Sequence, residues 1–420
     1  MRRGDTVARF HFRCSECRAS YREDELRYVC PRCARLQEPG RELRGILEVE
    51  IEDLPQSWPE IEPASPAFLT AFLPIGSGRS LPPLPVGNTP LLEAPRLRSE
   101  LGMERLWLKD DTRNPSGSTK DRASQLVVAK ALEYGIGTLA TASTGNAASA
   151  LAAAAAAAGL RAVVFVPAAA PQAKLVQMLA YGARVVRVAG SYDQAFELCG
   201  AACERFGWYN RNTALNPFTV EGKKTAALEI GRQLAGSPPD VVIVPSGDGV
   251  IISGVAKGFA DLVAAGLLER APRLLAVQPA GSNALVRALA SGAETVDPLP
   301  GAASVADSLV VEAPRAARLA LRRIRETGGA AVSVDDQAIV EAIPRLASLT
   351  GLFAEPAAAA ALAGLDAALE QRLVGRDERV VLLITGSGLK DVPAAARSIA
   401  IPEPVEPELD AVVRRLTIAG

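Results

Sequence analysis

The chain has 420 residues, of which 49% are hydrophobic and 22% are charged, and its formal net charge is −1. This composition is typical of a globular protein with two or three domains, and the near-neutral charge argues against a nucleic-acid binder. No apolar stretch is long enough to predict a membrane span and no signal-peptide core is present, so we expect a cytoplasmic protein. The single histidine, His11, excludes a histidine-based triad and a multi-histidine metal site. Only eight of the 46 basic residues are lysine, so each lysine is a candidate for a role that arginine cannot fill.

Four of the six cysteines form two C-x-x-C pairs near the N-terminus: Cys14, Cys17, Cys30 and Cys33. Two such pairs can place four thiolates at the corners of a tetrahedron, which suits Zn²⁺. All four ligands would be sulfur, so the site would be structural, without an open position for catalysis. We therefore predict a zinc ribbon in residues 1–45, with His11 left over. A degenerate ribbon and a redox pair are the alternatives.

Proline and glycine crowd the next stretch, which predicts a linker or wrapping segment over residues 46–86. Short apolar runs then predict seven strands: Leu106–Leu108, Leu139–Thr141, Ala162–Val166, Arg184–Val188, Val241–Val244, Leu274–Gln278 and Val380–Ile384. Between them, helical patterns predict six helices: Lys120–Tyr134, Ala147–Ala158, Gln172–Tyr181, Tyr192–Phe206, Gly222–Leu234 and Ser253–Ala264. This alternation predicts an α/β fold with a mostly parallel sheet. Ligands of such sheets bind at the carboxyl ends of strands, so the loops that follow strands are the candidates for chemistry.

The first of these loops, Asp111–Ser124, reads DTRNPSGSTKDRAS and carries Lys120 at the predicted start of a helix. The partial positive charge of a helix N-terminus disfavours an ammonium, so Lys120 can lose its proton more easily than an ordinary lysine and become a nucleophile. The alternative is a solvated lysine in the first helical turn.

Two further loops offer anion sites. The loop Thr141–Ser149 presents hydroxyl, amide and backbone N–H groups at a helix start, which suits a carboxylate; its alternative is an ordinary helix cap. The sequence Ser246–Gly249 follows a buried strand and leads into an amphipathic helix, which indicates a phosphate cradle. The pattern is neither G-x-G-x-x-G nor a P-loop, so it does not support dinucleotide or nucleoside triphosphate binding.

Together these loops resemble the fold-type II pyridoxal-phosphate (PLP) enzymes, which have a tryptophan synthase β-like fold, and within them the threonine synthases. The lysine loop is similar to N-P-[ST]-G-S-[FT]-K-D-R, the second loop to S-[ST]-G-N-[AT], and Leu382–Asp391 to T-G-x-G-L-K-D. The resemblance extends from Gly87 to Asp391, and a zinc ribbon is found on some members. It implies a PLP-dependent carbon–oxygen lyase that converts O-phosphohomoserine and water into threonine and phosphate.

The resemblance also implies a role for individual residues. Lys120 would bind PLP covalently and act as the catalytic base. The remaining cofactor contacts would come from Asn146, Gly247, Asp248, Gly249, Val250, Ile251 and Thr385. In that set, Asn146 would meet the phenolic oxygen, the glycine-rich backbone would bind the phosphate, and Thr385 would meet the pyridine nitrogen. The carboxylate of an amino-acid substrate would be held by Ser143, Thr144 and Ala147.

The sequence departs from the family pattern on the substrate side. The stretch Asn216–Thr225 resembles N-P-x-R-[IL]-E-G-Q-K-T, but Thr219 stands where an arginine would bind the substrate phosphate. Lys223, in place of the glutamine, could supply that charge together with Lys224; the alternative is that both lysines face water. Asp248 stands where many threonine synthases have asparagine, and we expect its side chain to point away from the phosphate. Weaker substrate-side candidates are Arg113, Arg122 and residues 304–308.

Two alternative functions remain open, and the departure at Thr219 permits the first. A dehydratase or β-replacement enzyme acting on serine, threonine or another 3-substituted amino acid needs no grip on a substrate phosphate. The second alternative is a non-catalytic regulator with a vestigial PLP fold. The intact Lys120, Asn146 and Thr385 argue against it.

The resemblance further implies an arrangement of domains. We expect a large PLP-binding domain formed by residues 87–136 and 216–400, a smaller inserted α/β domain over residues 137–215, and a C-terminal tail over residues 401–420. The smaller domain would carry the Asn146 loop and could close over the substrate. We also expect a homodimer that binds neither nucleic acid nor membranes.

Overall fold

The computed structural model describes residues 9–59, 66–76, 80–143, 145–168 and 172–418. Its strands are β1 (Phe10–Cys14), β2 (Ser20–Tyr21), β3 (Leu47–Ile51), β4 (Leu91–Glu93), β5 (Leu106–Asp110), β6 (Thr138–Ala142), β7 (Arg161–Pro167), β8 (Arg184–Val188), β9 (Tyr209–Asn210), β10 (Val241–Pro245), β11 (Arg273–Pro279), β12 (Ala330–Val334) and β13 (Val380–Ile384). Its helices are α1 (Pro31–Ala34), α2 (Pro95–Leu101), α3 (Lys120–Glu133), α4 (Asn146–Ala157), α5 (Gln172–Ala180), α6 (Tyr192–Phe206), α7 (Phe218–Lys223), α8 (Thr225–Gln233), α9 (Val250–Ala264), α10 (Ala284–Ala290), α11 (Ala317–Glu326), α12 (Asp336–Thr350), α13 (Pro356–Glu370), α14 (Val392–Ala395) and α15 (Leu409–Ile418).

The N-terminal sheet has the strand order β2-β1-β3, and both pairings are antiparallel. Strand β3 pairs with β1 from Phe10 opposite Ile51 to Cys14 opposite Leu47. The predicted boundary after residue 45 is therefore wrong, because Leu47–Ile51 completes this sheet instead of starting a linker. Strand β3 alternates apolar and acidic residues, and its apolar side chains at 47 and 49 are buried.

The large sheet has the order β12-β11-β10-β13-β5-β4, and all its strands are parallel except β4 at the edge. Its central strands β10 and β13 are buried along their whole length, as expected for a sheet covered by helices on both faces. The order places the carboxyl ends of β5, β10 and β13 side by side. The loop of Lys120, the glycine loop and the loop of Thr385 therefore start from one edge of the sheet.

The small sheet has the order β8-β7-β6-β9 and is parallel throughout. Its strands lie between residues 138 and 210, and α4, α5 and α6 connect them. The boundaries at 137 and 215 stay a prediction. The mixed topology agrees with the predicted α/β class.

Two predicted helices differ from those observed. The predicted helix Gly222–Leu234 is two helices, α7 and α8, which meet at Lys224. Helix α9 begins at Val250, three residues before the predicted start, because Gly249 adopts a φ of +86° and turns the chain directly into the helix. Across the described ranges, no helix is both long and apolar enough to cross a bilayer.

Candidate active site

The loops after β5, β6 and β10 converge on a cavity of about 450 Å³. Eight residues that the sequence assigns to the site line this cavity: Lys120, Ser143, Asn146, Ala147, Lys223, Gly247, Asp248 and Ile251. Three others do not line it: Gly249 and Val250 follow Asp248 in the glycine loop, and Thr385 lies in the loop after β13. Thr144 lies outside the described residues.

Lys120 is the first residue of α3 and projects into the cavity. Its loop is fixed to the loop after β13, since the backbone N–H of Thr119 donates to the carbonyl of Thr385 at 2.8 Å. Burial lowers the pKa of Lys120 below the ordinary lysine value, although the negative charge of Asp248 opposes this shift. A lysine with a lowered pKa holds more of the free amine that a nucleophile or base needs.

Asn146 is the first residue of α4, and its side-chain amide donates to Glu355 Oε1 at 2.7 Å. Glu355 is buried at the start of α13 and packs against the loop after β13. A Cβ at Gly386 would lie 2.1 Å from Glu355 Oε1, so only glycine allows the carboxylate this close to Thr385. Glu355, which the sequence analysis did not identify, therefore connects Asn146 to the loop after β13: its carboxylate binds Asn146, and its backbone N–H donates to the carbonyl of Gly386 at 3.0 Å.

The glycine loop between β10 and α9 passes close to its neighbours. A Cβ at Gly247 would lie 3.0 Å from the Cα of Leu309, and one at Gly249 would lie 2.8 Å from the Cβ of Ala320. Both positions therefore require glycine. The loop leads directly into the 15-residue helix α9. Its backbone N–H groups and the helix N-terminus together favour an anion there.

Asp248 does not point away from this loop, contrary to the expectation from the sequence. One carboxylate oxygen accepts from the backbone N–H of Val250 at 3.0 Å, and the other accepts from Thr213 Oγ1 at 2.6 Å. Burial alone would raise the pKa of Asp248, but the charges of Lys120 and Lys223 lower it below the ordinary value. The carboxylate is thus an anionic part of the cavity wall, and it balances two lysines.

Lys223 and Lys224 are consecutive, yet only Lys223 lines the cavity. Burial lowers the pKa of Lys223 well below the ordinary value, and the nearby Lys120 lowers it further. Lys224 instead forms ion pairs with Glu221 and Asp261 inside the protein. The expectation that Lys224 shares the substrate role is therefore wrong, and so is the alternative that both lysines face water, because both are buried.

Thr219 is buried and its hydroxyl donates to the carbonyl of Asn216 at 2.7 Å, so it does not replace the missing arginine. A buried arginine that the sequence analysis missed, Arg211, lines the cavity instead. It follows the two-residue strand β9, which is too short to give a periodic pattern. Arg211 Nε also donates to Ser124 Oγ on α3 at 3.2 Å, which connects the small sheet to the helix that begins with Lys120.

Of the weaker candidates, only two line the cavity. Within residues 304–308, Asp307 and Ser308 line the cavity, whereas Ser304 donates to Asp336 at 2.5 Å. Arg113 is exposed. Arg122 is fully buried and binds Asp111 and Glu229, away from the cavity.

The four cysteines of the N-terminal sheet form a compact cluster. Their sulfur atoms all lie within 4.8 Å of one another, with Cys14–Cys33 at 3.7 Å and Cys17–Cys30 at 3.6 Å. Four sulfurs around Zn²⁺ at about 2.3 Å would be about 3.8 Å apart, so the cluster has the size of a tetrahedral zinc site. His11 lies on β1, where its Nε2 is 3.1 Å from Glu50 Oε2.

Comparisons with known proteins agree with this geometry. A family model described as pyridoxal-phosphate dependent enzyme matches residues 83–386. The threonine synthase of Methanosarcina acetivorans is 36% identical over 404 residues, which cover 96% of this chain and 98% of the relative. The threonine synthase of Methanocaldococcus jannaschii is 35% identical over 410 residues, with the same coverage of 96% and 98%.

Solved structures share the fold. A threonine deaminase from T.th. superposes with a TM-score of 0.61 at 29% identity, over 71% of this chain and 92% of that chain. Maize serine racemase superposes with a TM-score of 0.61 at 23% identity, over 79% of this chain and 92% of that one, which shows the fold alone. The predicted fold class is confirmed. The chain therefore belongs to the pyridoxal-phosphate dependent enzymes and, within them, to the threonine synthase family.

Proposed function

We propose that this PLP-dependent lyase converts O-phosphohomoserine and water into threonine and phosphate. The observation that carries the proposal is the cavity wall, where Lys120, with its lowered pKa, faces the start of α4 on one side and the glycine loop on the other. The threonine synthases that are similar over nearly the whole chain support the same activity.

The residues around the cavity fit PLP. The glycine loop leaves no room for a Cβ at Gly247 or Gly249, and it offers backbone N–H groups to a phosphate. In this assignment, the cofactor would be held by Lys120, Asn146, Gly247, Asp248, Gly249, Val250, Ile251 and Thr385. Bound there, PLP would act as an electron sink for the substrate's Cα. Asp248 would keep its hydrogen bond to Thr213 and release the N–H of Val250 to the cofactor phosphate.

The chain's own groups would bind the substrate and move its protons. The start of α4, with Ser143 and Ala147, suits the substrate carboxylate because the helix N-terminus attracts an anion. Lys223 and Arg211 would bind the substrate phosphate in place of the arginine missing at position 219. The free amine of Lys120 would take the proton from Cα and then one from Cβ, and phosphate would leave from Cγ. Protons would then return to Cγ and Cα, and water would add its hydroxyl at Cβ while its remaining proton balances the released phosphate.

The alternative is a dehydratase or β-replacement enzyme on serine, threonine or a related amino acid. Thr219 favours it, because the hydroxyl gives a substrate phosphate no charge to bind. A panel of O-phosphohomoserine, serine, threonine and O-phosphoserine separates the two functions when phosphate and keto acid are measured in parallel. We expect phosphate and threonine from O-phosphohomoserine only; keto acid from serine or threonine would instead establish the alternative.

We also propose that the cysteine cluster binds one structural Zn²⁺. The sulfur spacing supports this, and two of the four thiols, Cys14 and Cys30, are completely buried. Metal analysis of the purified protein should give one zinc per chain, and Cys14→Ser together with Cys17→Ser should remove it. A protein that holds no zinc and keeps its melting temperature in a chelator would contradict the proposal.

A homodimer is the assembly that we propose for this chain, on the resemblance to its family. Size-exclusion chromatography with light scattering should give twice the chain mass of 43.9 kDa. A monomer at micromolar concentration would exclude it.

A further inference from the structure

Lys390 connects the two halves of the active site. It ends the short 3₁₀ helix Gly388–Lys390 after β13, and its side chain is half-buried. Its ammonium donates to the carbonyl of Ser116 at 2.8 Å, to Gln177 Oε1 at 2.7 Å and to Ser149 Oγ at 3.2 Å. The first acceptor belongs to the loop of Lys120, whereas the other two lie on α5 and α4 beside the small sheet.

The same carbonyl is held from a second direction. Gln177 Nε2 donates to the oxygen of Ser116 at 3.1 Å, so Lys390, Gln177 and Ser116 form a closed triangle of hydrogen bonds. On the other side of the residue, the N–H of Ser116 donates to Asp121 Oδ2 at 2.8 Å. The loop therefore has little freedom to move, and it ends at Lys120 four residues later.

The geometry calls for a lysine at this position. An ammonium has three N–H donors in a tetrahedral arrangement, and here it meets three acceptors on three separate elements, whereas a guanidinium presents its donors in a plane. The lysine stem passes close to Gly117, where a Cβ would lie 3.5 Å from Cδ of Lys390. Gly117 itself has a φ of +82°, which favours glycine and forms the turn under the stem.

We propose that Lys390 is a positioning residue that joins α4 and α5 to the loop of Lys120. Movement of the small sheet over the substrate would then be transmitted to this loop. The amine of Lys120 would reach its position when α4 and α5 pack against the loop. The kinetic part of this inference, the effect of Lys390 on kcat, rests on the proposed function. The mechanical part, the connection of α4 and α5 to the loop, does not.

The mechanical part is tested by hydrogen exchange of the holoenzyme. Lys390→Met should make the amides of α4 and α5 exchange about tenfold faster, because a charge-assisted hydrogen-bond network is lost, and leave β10 and β13 unchanged. Gln177→Leu should produce the same local pattern. Leu389→Ala is the matched control, since the neighbouring Leu389 is 78% exposed and outside the network. Unchanged exchange in α4 and α5, or equal acceleration in all strands, would overturn the proposal.

The kinetic part uses the same variants. Lys390→Met should lower kcat about tenfold while the absorbance of lysine-bound cofactor is kept, and the double variant with Gln177→Leu should lose less than the product of the single losses. Losses that multiply, or a wild-type kcat in Lys390→Met, would refute the coupling. If the wild-type protein itself does not turn over O-phosphohomoserine, the proposed function fails and the exchange experiment still decides the mechanical inference.

Discussion

Two groups of charged side chains each include a residue from the first turn of α3, and they differ in how their charges are balanced. The arginine cluster (Lys109, Asp111, Arg122 and Glu229) has two positive and two negative side chains that bind each other. Arg122 lies 2.7 Å from Asp111 Oδ1 and 2.6 Å from Glu229 Oε1, and Lys109 lies 2.7 Å from Glu229 Oε2. The cavity cluster (Lys120, Arg211, Lys223 and Asp248) has three basic side chains and one carboxylate, and all four line the cavity.

The pKa values shift in the same directions in both clusters, since burial also lowers the pKa of Lys109, so the two differ in geometry rather than in these shifts. Burial alone would raise the pKa of Glu229, yet Arg122 and Lys109 hold it below the ordinary value. In the cavity cluster, burial lowers the pKa of both Lys120 and Lys223, and Asp248 opposes the shift only in part. The comparison teaches that the arginine cluster, whose charges pair with one another, stabilises the fold. The cavity cluster has fewer acidic than basic groups, and an anionic ligand can supply the missing negative charge.

The largest expected effect comes from a substitution in the cavity cluster. Lys120→Ala should lower kcat by at least about 10³-fold and remove the absorbance of lysine-bound cofactor, because the proposed function uses the Lys120 amine for both the covalent bond and the proton transfers. Steady-state kinetics and absorption spectroscopy measure both changes. A variant that keeps the absorbance would show that another residue binds the cofactor.

Removing a charge from the arginine cluster should lower the stability of the fold. Arg122→Met removes one partner of two buried carboxylates and should reduce the free energy of unfolding by about 3–5 kcal/mol, as measured by urea denaturation. Arg22→Met is the control, because the Arg22 side chain is 72% exposed and its ion pair with Asp24 lies in solvent. Equal effects of both substitutions would break the distinction between the clusters.

Asp121 lies between Lys120 and Arg122 in the sequence of α3, and it gives a pH test. Burial raises its pKa from the ordinary 3.8 to about 6, so its contribution to stability is present below pH 3.8 and is lost as the pH rises through about 6. Asp121→Asn keeps an acceptor for Ser116 and does not titrate. Relative to wild type, this variant should gain about 3 kcal/mol in unfolding free energy between pH 4 and pH 7. A difference that is constant across this range would refute the raised pKa.

The smallest effect separates two adjacent lysines. Lys223→Gln should raise the KM for O-phosphohomoserine about tenfold or more and leave the melting temperature unchanged, because the side chain faces the cavity. Lys224→Gln is the matched control and should instead lower the melting temperature, since the buried Glu221 loses its ion pair and Asp261 keeps the one with Lys257. If Lys223→Gln changes the melting temperature and not KM, Lys223 stabilises the fold, as the arginine cluster does, and does not bind the substrate.

The sequence predicts the parts of the site that depend on local patterns. Apolar runs predict Arg184–Val188 and Val380–Ile384 with the observed bounds, and the loop motifs identify residues that meet in one cavity. Helix α13 is not predicted, because its alanines are buried on nearly every side and leave no polar face to mark a helix. Arg211 and Glu355 are missed for a related reason, since their partners Ser124 and Asn146 are distant in sequence. Local periodicity carries no information about such contacts.

The packing of the N-terminal sheet limits where the chain can be cut. Phe12 lies 5.7 Å from Phe218, ring to ring, at the start of the helix that carries Lys223. Leu47 and Val49 of β3 belong to the same hydrophobic core as Val242 of the large sheet. Glu48, between them, binds Arg322 and Arg323 on α11. A recombinant fragment trimmed to the cofactor-binding region would therefore expose part of its own core, so the cysteine-bearing segment is not a detachable accessory.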